Sequence, residues 1–534
     1  MNILSIYTGH NSSICILSNG KILINLELER YSRIKHDYGY REDFLLFCLQ
    51  KVNMSINDID FIVTNKWSDN PPVRANTKIR PFEIPSTNDI KHKEFQADLL
   101  GKNFQCLAIN HHLAHVASAF FTSPFSEAAC LTIDGGGDSE NSSFAFCKNN
   151  KIEVYEPKTI PDIAGWWSSV CFNNYRMKRI HELDPGSGAG KIMALAAYGK
   201  FDQTMYDQLV IDMQKSEFSE NYFDKNAYAY NSCEDLSNTK INKSSDLAFA
   251  LQYETEERLF KIFNELFAKF NCSNICYSGG LALNCIANTK VLKKSQFKNI
   301  HVPPCPNDSG LALGMALYAY YDYFNNHRNI EYFSPYTGPT YEEEVKQIID
   351  NSKYKITDAS VENVVNLLEK KEIIAMWQQK SETGPRALGH RSIICRTDIY
   401  NIKNVINNSI KHREWYRPYA PIVLYEFANE VFENCIIDSP YMTTSAVITK
   451  KYREKMSGVL HTDNTTRPQI IKKEHEPYIY EIISLLNNKI GIPAILNTSF
   501  NNQSPIVETP FEALETFEKM PIKYLVLDKY LIAK

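Results

Sequence analysis

The chain repeats a plan. Residues 3–30, ILSIYTGHNSSICILSNGKILINLELER, read as an apolar strand, a Gly-containing polar turn, a second strand, an Asn19-Gly20 turn and a third strand. About 125 residues later, AACLTIDGGGDSENSSFAFCKNNKIEVYEP follows the same order: strand, Asp134-Gly-Gly-Gly, strand, an Asn149-Asn150 turn, strand. A repeat of this kind points to two like halves around a shared cleft, although two ordinary hairpins in an α/β protein would produce the same plan.

Turns this tight let backbone N–H groups approach phosphates, which suits the duplicated actin-like ATPase architecture. NICYSGGLALNCIANTKVL, residues 274–292, adds a strand, Gly279-Gly280 and a helix-like continuation, a sensible adenosine-binding turn in such a fold. Pro and Gly punctuate residues 328–341, so the domain boundary is placed there, giving an actin-like domain over 1–338 and a second domain over 339–534. From EIIAMWQQKSETGPRALGHRSIIC onward, strands and helices alternate, and the second domain is also α/β.

Composition narrows the function classes. With 44% hydrophobic and 22% charged residues the chain is ordinary and globular, and a net charge of -4 gives no global basic field for gripping nucleic acid. Its 13 cysteines form no CxxC pair, so neither a disulfide framework nor a zinc ribbon is expected, and reduced thiols in a cytoplasm are the simplest inference. The N-terminus lacks the basic region of a signal peptide, and no apolar run is long enough to span a bilayer.

Several stretches carry chemistry. In NHHLAHVASAFF, His111 and His115 lie four apart and share a helical face, while His112 points elsewhere. Solvated histidines at a helix start are the ordinary reading of that spacing alone. Asp134, at the end of an apolar strand, and Asp308, at a turn opening a helix, complete a His₂Asp₂ set that suits Fe(II), Mn(II) or Zn(II). Each aspartate alone is also a common cap or turn residue. DPGSGAGKIMALAAYG is no P-loop, because Pro185 and Ile192 break GxxxxGK[ST]; Lys191 remains able to meet a phosphate. KSETGPRALGHRS brings Lys380, Arg386, His390 and Arg391, and KHREWYRPYAP brings Lys411, Arg413 and Arg417. Their convergence would build a phosphate or adenylate pocket; a basic rim paired with Glu382 and Glu414, or a nucleic-acid patch, is the alternative. Asn497, Thr498 and Ser499 follow an apolar strand as a polar wall or a simple strand-end turn, and His10 at the first hairpin turn is a candidate general base.

GHNSS, LELERYSRIKHD, NHHLAHVASAF, TIDGGGD, YSGGLALN, NDSGLALG, ETGPRALGHRSI, KHREWYRPYAP and LNTSFN occur in this order along essentially the whole chain. In this the chain resembles the nodulation-protein-type O-carbamoyltransferases, which include antibiotic-tailoring enzymes. The resemblance implies an actin-like domain followed by a YrdC-like one. The second would make carbamoyl adenylate from carbamoyl phosphate and ATP with Mg(II), and the first would transfer the carbamoyl group to an acceptor hydroxyl. It implies that His111, His115, Asp134 and Asp308 hold Fe(II) or a similar divalent metal, and that His10 takes the acceptor's proton. It also implies that Asp134, Gly136, Gly279, Gly280 and Asn284 hold the adenylate, and that Lys35 lies near the acceptor entrance. Arg386, Lys411, Arg417 and Asn497 would contact carbamoyl phosphate and ATP. The acceptor is expected to be a small molecule or sugar, a hydroxymethylated base in DNA being the alternative; the DNA reading predicts steeply salt-dependent binding. An inactive scaffold is a third reading, and a homodimer is the expected assembly. The chain departs from the family pattern at Asn11, where Asp is usual, at Ala194 and Ala197, and in the loop 501–506, which lacks a Gly-Glu pair and is one residue short.

Overall fold

The computed structural model describes residues 1–66, 81–84, 90–138, 140–174, 186–215 and 239–534. Pro185, which breaks the P-loop pattern, lies outside the described residues. Among the described residues of the first half, eleven strands form two sheets. The first holds β1 (Asn2–Tyr7), β2 (Ser13–Ser18), β3 (Lys21–Glu27), β4 (Phe61–Asn65), β5 (His92–Leu99) and β6 (Lys102–Ile109) in the order β3-β2-β1-β4-β6-β5. The second holds β7 (Glu127–Gly137), β8 (Glu140–Lys148), β9 (Lys151–Lys158), β10 (Asn274–Ser278) and β11 (Asn299–His301) in the order β9-β8-β7-β10-β11.

The repeat in the sequence is therefore a repeat in topology. Each half opens with a three-strand antiparallel meander whose first strand then pairs in parallel with a strand from farther along, β1 with β4 and β7 with β10. A third parallel strand follows, β6 or β11, and β5 is an extra edge on the first sheet alone. This is a duplicated actin-like arrangement. One detail differs from the sequence expectation: β7 does not stop at Asp134 but runs to Gly137, with an irregular register between Ile133 and Gly137. The bulge turns Asp134 out of the ladder while keeping it on the strand.

β7 shows why its sequence lacks polar alternation. Ala128 and Cys130 pack into one core with the helices His111–Phe121 and Leu311–Leu317, while Ala129, Leu131 and Ile133 pack into another with the helix Thr239–Phe270. Both faces are covered, so both sets of side chains are apolar. The two helices of the first core approach so closely that a Cβ at Gly314 would sit 2.0 Å from Ala114 O, which requires glycine there. Fully buried residues such as Leu113 and Leu313 each contribute about 2 kcal/mol by leaving water.

The rest of the chain forms a mixed sheet of eight strands, in the spatial order Lys355–Asp358, Tyr530–Ala533, Tyr524–Leu527, Ile374–Trp377, Arg391–Arg396, Ala494–Ser499, Ala420–Leu424 and Gln469–Ile471, and a small antiparallel sheet of Phe432–Glu433, Ala446–Ile448 and Thr465–Thr466. Apolar side chains cover both faces of the larger sheet. Among the described residues, eleven cysteines are free thiols and no helix is long and apolar enough to cross a membrane.

Candidate functional site

The helix His111–Phe121 starts where it does because Asn110 caps it: Asn110 Oδ1 accepts from Leu113 N at 3.2 Å. Asp138 Oδ2 accepts from His111 N at 2.8 Å, placing a carboxylate at the positive helix end. The i, i+4 pair His111 and His115 then faces Asp134 and Asp308. His115 Nε2 lies 3.0 Å from Asp134 Oδ2 and 3.4 Å from Asp308 Oδ1; His111 Nε2 lies 3.6 Å from Asp308 Oδ1 and 4.0 Å from Asp134 Oδ2. Four ligand atoms all fall within 4.8 Å of one another. With metal–ligand bonds of about 2.0–2.2 Å, neighbouring ligands stand about 3–3.5 Å apart, so the quartet needs only small adjustments to hold a divalent ion. Two imidazoles and two carboxylates are a donor set for Fe(II), Mn(II) or Zn(II). His112 is turned away, between Thr132 Oγ1 at 2.8 Å and Glu140 O at 3.1 Å; burial and the two neighbouring imidazoles push it down to about 3.

Burial opposes a charged His115, but hydrogen bonding to Asp134 and Asp308 outweighs it and raises the imidazole to about 9. Burial would likewise raise Asp134, yet the two imidazoles hold its carboxyl well below the usual range. A metal takes only the neutral imidazole, so at neutral pH its binding displaces a proton from His115. The apparent affinity for Zn(II) is then expected to rise about tenfold per pH unit between about pH 6 and 8. Competition titrations across that interval check this, and a flat profile rules His115 out as the displaced group.

Residues around the quartet fix its shape. Tyr7 Oη donates to Asp308 Oδ2 at 2.7 Å, leaving Oδ1 for the histidines. A Cβ at Gly137 would lie 2.4 Å from the His111 ring, so only glycine fits beside that ligand. Neither residue was singled out by the sequence, because a strand tyrosine and the third of three glycines carry no spacing signal. Gly280 N donates to Asp134 Oδ2 at 3.1 Å, so part of the expected adenosine-binding turn serves the carboxylate. Gly279 has φ +92, and a Cβ there would meet Ile133 O at 2.1 Å, whereas Gly136 faces open space. Asn284 caps the helix Cys285–Lys294, accepting from Ala287 N at 3.1 Å and donating to Gln252 Oε1 at 2.9 Å.

His10 is exposed on the turn after Tyr7, and its ring stacks on His36 with centroids 5.2 Å apart. His36 Nδ1 is 3.0 Å from Asn11 Oδ1, so the atypical Asn11 still anchors this turn. A Cβ at Gly9 would lie 2.3 Å from Tyr7 Oη, which puts the turn that carries His10 directly against the Asp308 partner.

A second group lies in the C-terminal half. Arg386 is depressed to about 9 by burial and by Arg467, with Arg417 adding to the effect. Arg467 is itself lowered by burial and by Arg417, and its guanidinium reaches Cys285, the residue after Asn284. Burial, Arg413, Arg417 and Lys35 push Lys411 well below its usual value, and Lys411 Nζ donates to Asn501 Oδ1 at 2.6 Å and Asn501 O at 2.8 Å. The shortened 501–506 loop thus begins on Lys411. Asn497 Nδ2 donates to Ala387 O at 2.9 Å, holding the residue after Arg386. Arg467 was missed: a lone arginine in TTRPQ has no companion in sequence.

Three members of the expected cationic cluster are turned elsewhere. Arg391 is fully buried and donates to Gln379 O at 2.9 Å and Glu508 O at 3.2 Å, Lys380 Nζ donates to Leu23 O at 3.3 Å, and His390 stacks on Tyr336. Buried carbonyls need donors, and these side chains supply them. Lys191 pairs with Glu414 at 2.8 Å, and Glu414 also meets Arg417 at 3.6 Å, so the expected carboxylate pairing holds for that edge alone.

Residues 2–317 match the family model for the carbamoyltransferase N-terminus, and residues 365–534 match that for the carbamoyltransferase C-terminus. The chain is 30% identical to an uncharacterized protein of Methanocaldococcus jannaschii over 552 residues, covering 100% of this chain and 99% of that one. It is 28% identical to the nodulation protein NolNO of Sinorhizobium fredii, covering 98% of this chain and 79% of that one. Among solved structures, the activator of the 2-hydroxyisocaproyl-CoA dehydratase from Clostridium difficile aligns with 60% of this chain and 94% of its own, at 16% identity and a TM-score of 0.34. That overlap is too loose to bear on the chemistry. Matched by both models, the chain belongs to the carbamoyltransferase family, enzymes that transfer carbamoyl groups.

Proposed function

We propose that this carbamoyltransferase is an ATP-dependent O-carbamoyltransferase with two sites, one in each half of the chain. The observation that supports it most is the trio Arg386, Arg417 and Arg467. The neighbours that shift Arg386 are two arginines and a thiol rather than a carboxylate. Partly buried guanidinium groups gathered in this way are stabilised by a polyanion, and their forks match phosphate oxygens. Carbamoyl phosphate and ATP, the latter with Mg(II), are polyanions of the required kind.

In this reading carbamoyl phosphate is cleaved by water to carbamate and phosphate beside the arginines and Lys411. A carbamate oxygen then attacks the α-phosphorus of ATP, and pyrophosphate leaves. The resulting carbamoyl adenylate is a reactive mixed anhydride, which survives longer where water is excluded. Arg467 touches Cys285, next to Asn284, so the route from the second site to the first is short. In the first site His10 takes the proton of an acceptor hydroxyl, whose oxygen attacks the carbamoyl carbon as AMP departs. His36, stacked on His10, keeps that ring aligned. His111, His115, Asp134 and Asp308 would hold a divalent ion there, Fe(II) being the family expectation, and when bound it supplies Lewis-acid polarisation of the adenylate phosphate.

The test is mass spectrometry of purified protein incubated with ATP, Mg(II), carbamoyl phosphate and Fe(II), without acceptor. Carbamoyl adenylate and pyrophosphate are expected. Their absence from folded, metal-loaded protein sinks the two-step reading.

A further inference from the structure

The motif LELER belongs to neither site, yet its side chains touch both halves. Glu27 ends β3 and Arg30 sits in the short helix Leu28–Ser32; both are buried, with Arg30 Nε 3.3 Å from Glu27 Oε2. A buried ion pair is a poor source of stability, since apolar residues of similar volume commonly do as well. What this pair does is grip one residue. Glu27 Oε1 accepts from Gly384 N at 2.6 Å, and Arg30 Nη2 donates to Gly384 O at 3.2 Å. Asn25 adds a bond to Thr383 Oγ1 at 2.8 Å.

Gly384 is held from three sides. Its φ is +90, and a Cβ would lie 2.3 Å from Pro304 O, so the first half of the chain also packs against its backbone. Beyond it the loop is held from within the second half: Glu382 Oε1 accepts from Leu388 N at 2.6 Å and Arg391 N at 3.2 Å. Arg386 lies between these two fixtures. The segment continues into the second site's other wall, where Arg33 donates to Ile506 O and Pro505 O, each at 2.7 Å, and lies 3.3 Å from Glu512 Oε2. It then reaches His36, stacked on His10.

We propose that Glu27 and Arg30 are positioning residues through which the first half of the chain sets Arg386, so that residues 27–36 link the two sites mechanically. Fixing both the N–H and the C=O of Gly384 orients that residue's backbone, and an apolar contact cannot do this. The inference rests on the two-site reading for its substrate, carbamoyl phosphate, but not for its geometry.

The test compares the wild type, the pair variant Glu27→Gln/Arg30→Met, which removes both charges at similar volume, and Arg30→Lys, which keeps charge without the fork. Lys51→Met is the control, because Lys51 pairs with Glu344 across the same two halves away from Gly384. Calorimetric binding of inorganic pyrophosphate is one readout, and KM for carbamoyl phosphate in pyrophosphate release is the other. The pair variant is expected to weaken pyrophosphate and raise KM about tenfold, with kcat falling less, as a misplaced binding group would. Arg30→Lys should fall between, while Lys51→Met stays at wild-type values. Zn(II) stoichiometry should be unchanged throughout, which shows that the first site is still folded. A pair variant that binds Zn(II) and keeps wild-type pyrophosphate affinity overturns the proposal, as does an equal loss in Lys51→Met. If the wild type binds pyrophosphate but makes no carbamoyl adenylate, the two-step reading fails and the binding data alone decide the positioning role. If the pair variant does not fold, the contrast between Arg30→Lys and Lys51→Met decides it.

Discussion

His115→Ala is expected to lose Fe(II), Mn(II) and Zn(II) binding by more than about 100-fold, beyond the 10- to 100-fold typical of removing a supporting partner. His115 is the most central of the four, with no exposed surface and a carboxylate oxygen within 3.0 Å on one side and 3.4 Å on the other. Without it Asp134 and Asp308 face each other across a cavity with only His111 between them. Two carboxylate oxygens within 4.8 Å of each other repel, so without His115 between them the pair no longer holds its ligand geometry. The deletion thereby removes one ligand and weakens a second. Metal stoichiometry by elemental analysis, with affinity by chelator competition, measures it. His115→Gln serves as a folded companion, since it keeps a polar group in the same volume. Wild-type stoichiometry in either variant would show that the quartet is not the metal site.

Arg386→Ala is expected to reduce carbamoyl adenylate formation by about 100-fold or more, the scale of losing one preorganised charge-stabilising donor. Transfer from supplied carbamoyl adenylate to an acceptor should continue, because His10 and the metal quartet are untouched. The unliganded protein should be no less stable, and should be more stable at neutral pH. Arg386 is half-buried beside Arg467 and Arg417, and its depressed value reflects the cost of keeping it charged there. Removing it relieves that repulsion. Lost activity with retained or increased stability separates a binding residue from a structural one. Pyrophosphate release and a denaturant titration on the same preparation give both numbers. An active Arg386→Ala variant would remove the observation on which the two-site reading chiefly rests.

These outcomes depend on residues of different legibility. His111 and His115 could be paired from the chain alone, because four residues on a helix return to the same face. The duplicated strand plan was equally plain, since tight turns between apolar runs leave few topologies. By contrast, Arg391 and His390 looked like members of a phosphate pocket because they stand beside Arg386 in sequence. The strand Arg391–Arg396 turns Arg391 inward to satisfy backbone carbonyls, and Tyr336 covers His390. Neighbours in an extended segment face opposite ways, and which way is useful depends on what packs there.

The two like halves, the helical histidine pair, the α/β character of both regions and the family can all be read from the residues in order. Each follows from short-range periodicity, turn chemistry or ordered motifs. Packing is what brings Asp134 and Asp308 to those histidines, sets Tyr7 and Gly137 around their pocket, joins Arg467 to Arg386, and closes Glu27 and Arg30 on Gly384. Those partners lie from tens to hundreds of residues apart, and contacts between such distant residues are fixed by how sheets and helices pack, which no local pattern encodes.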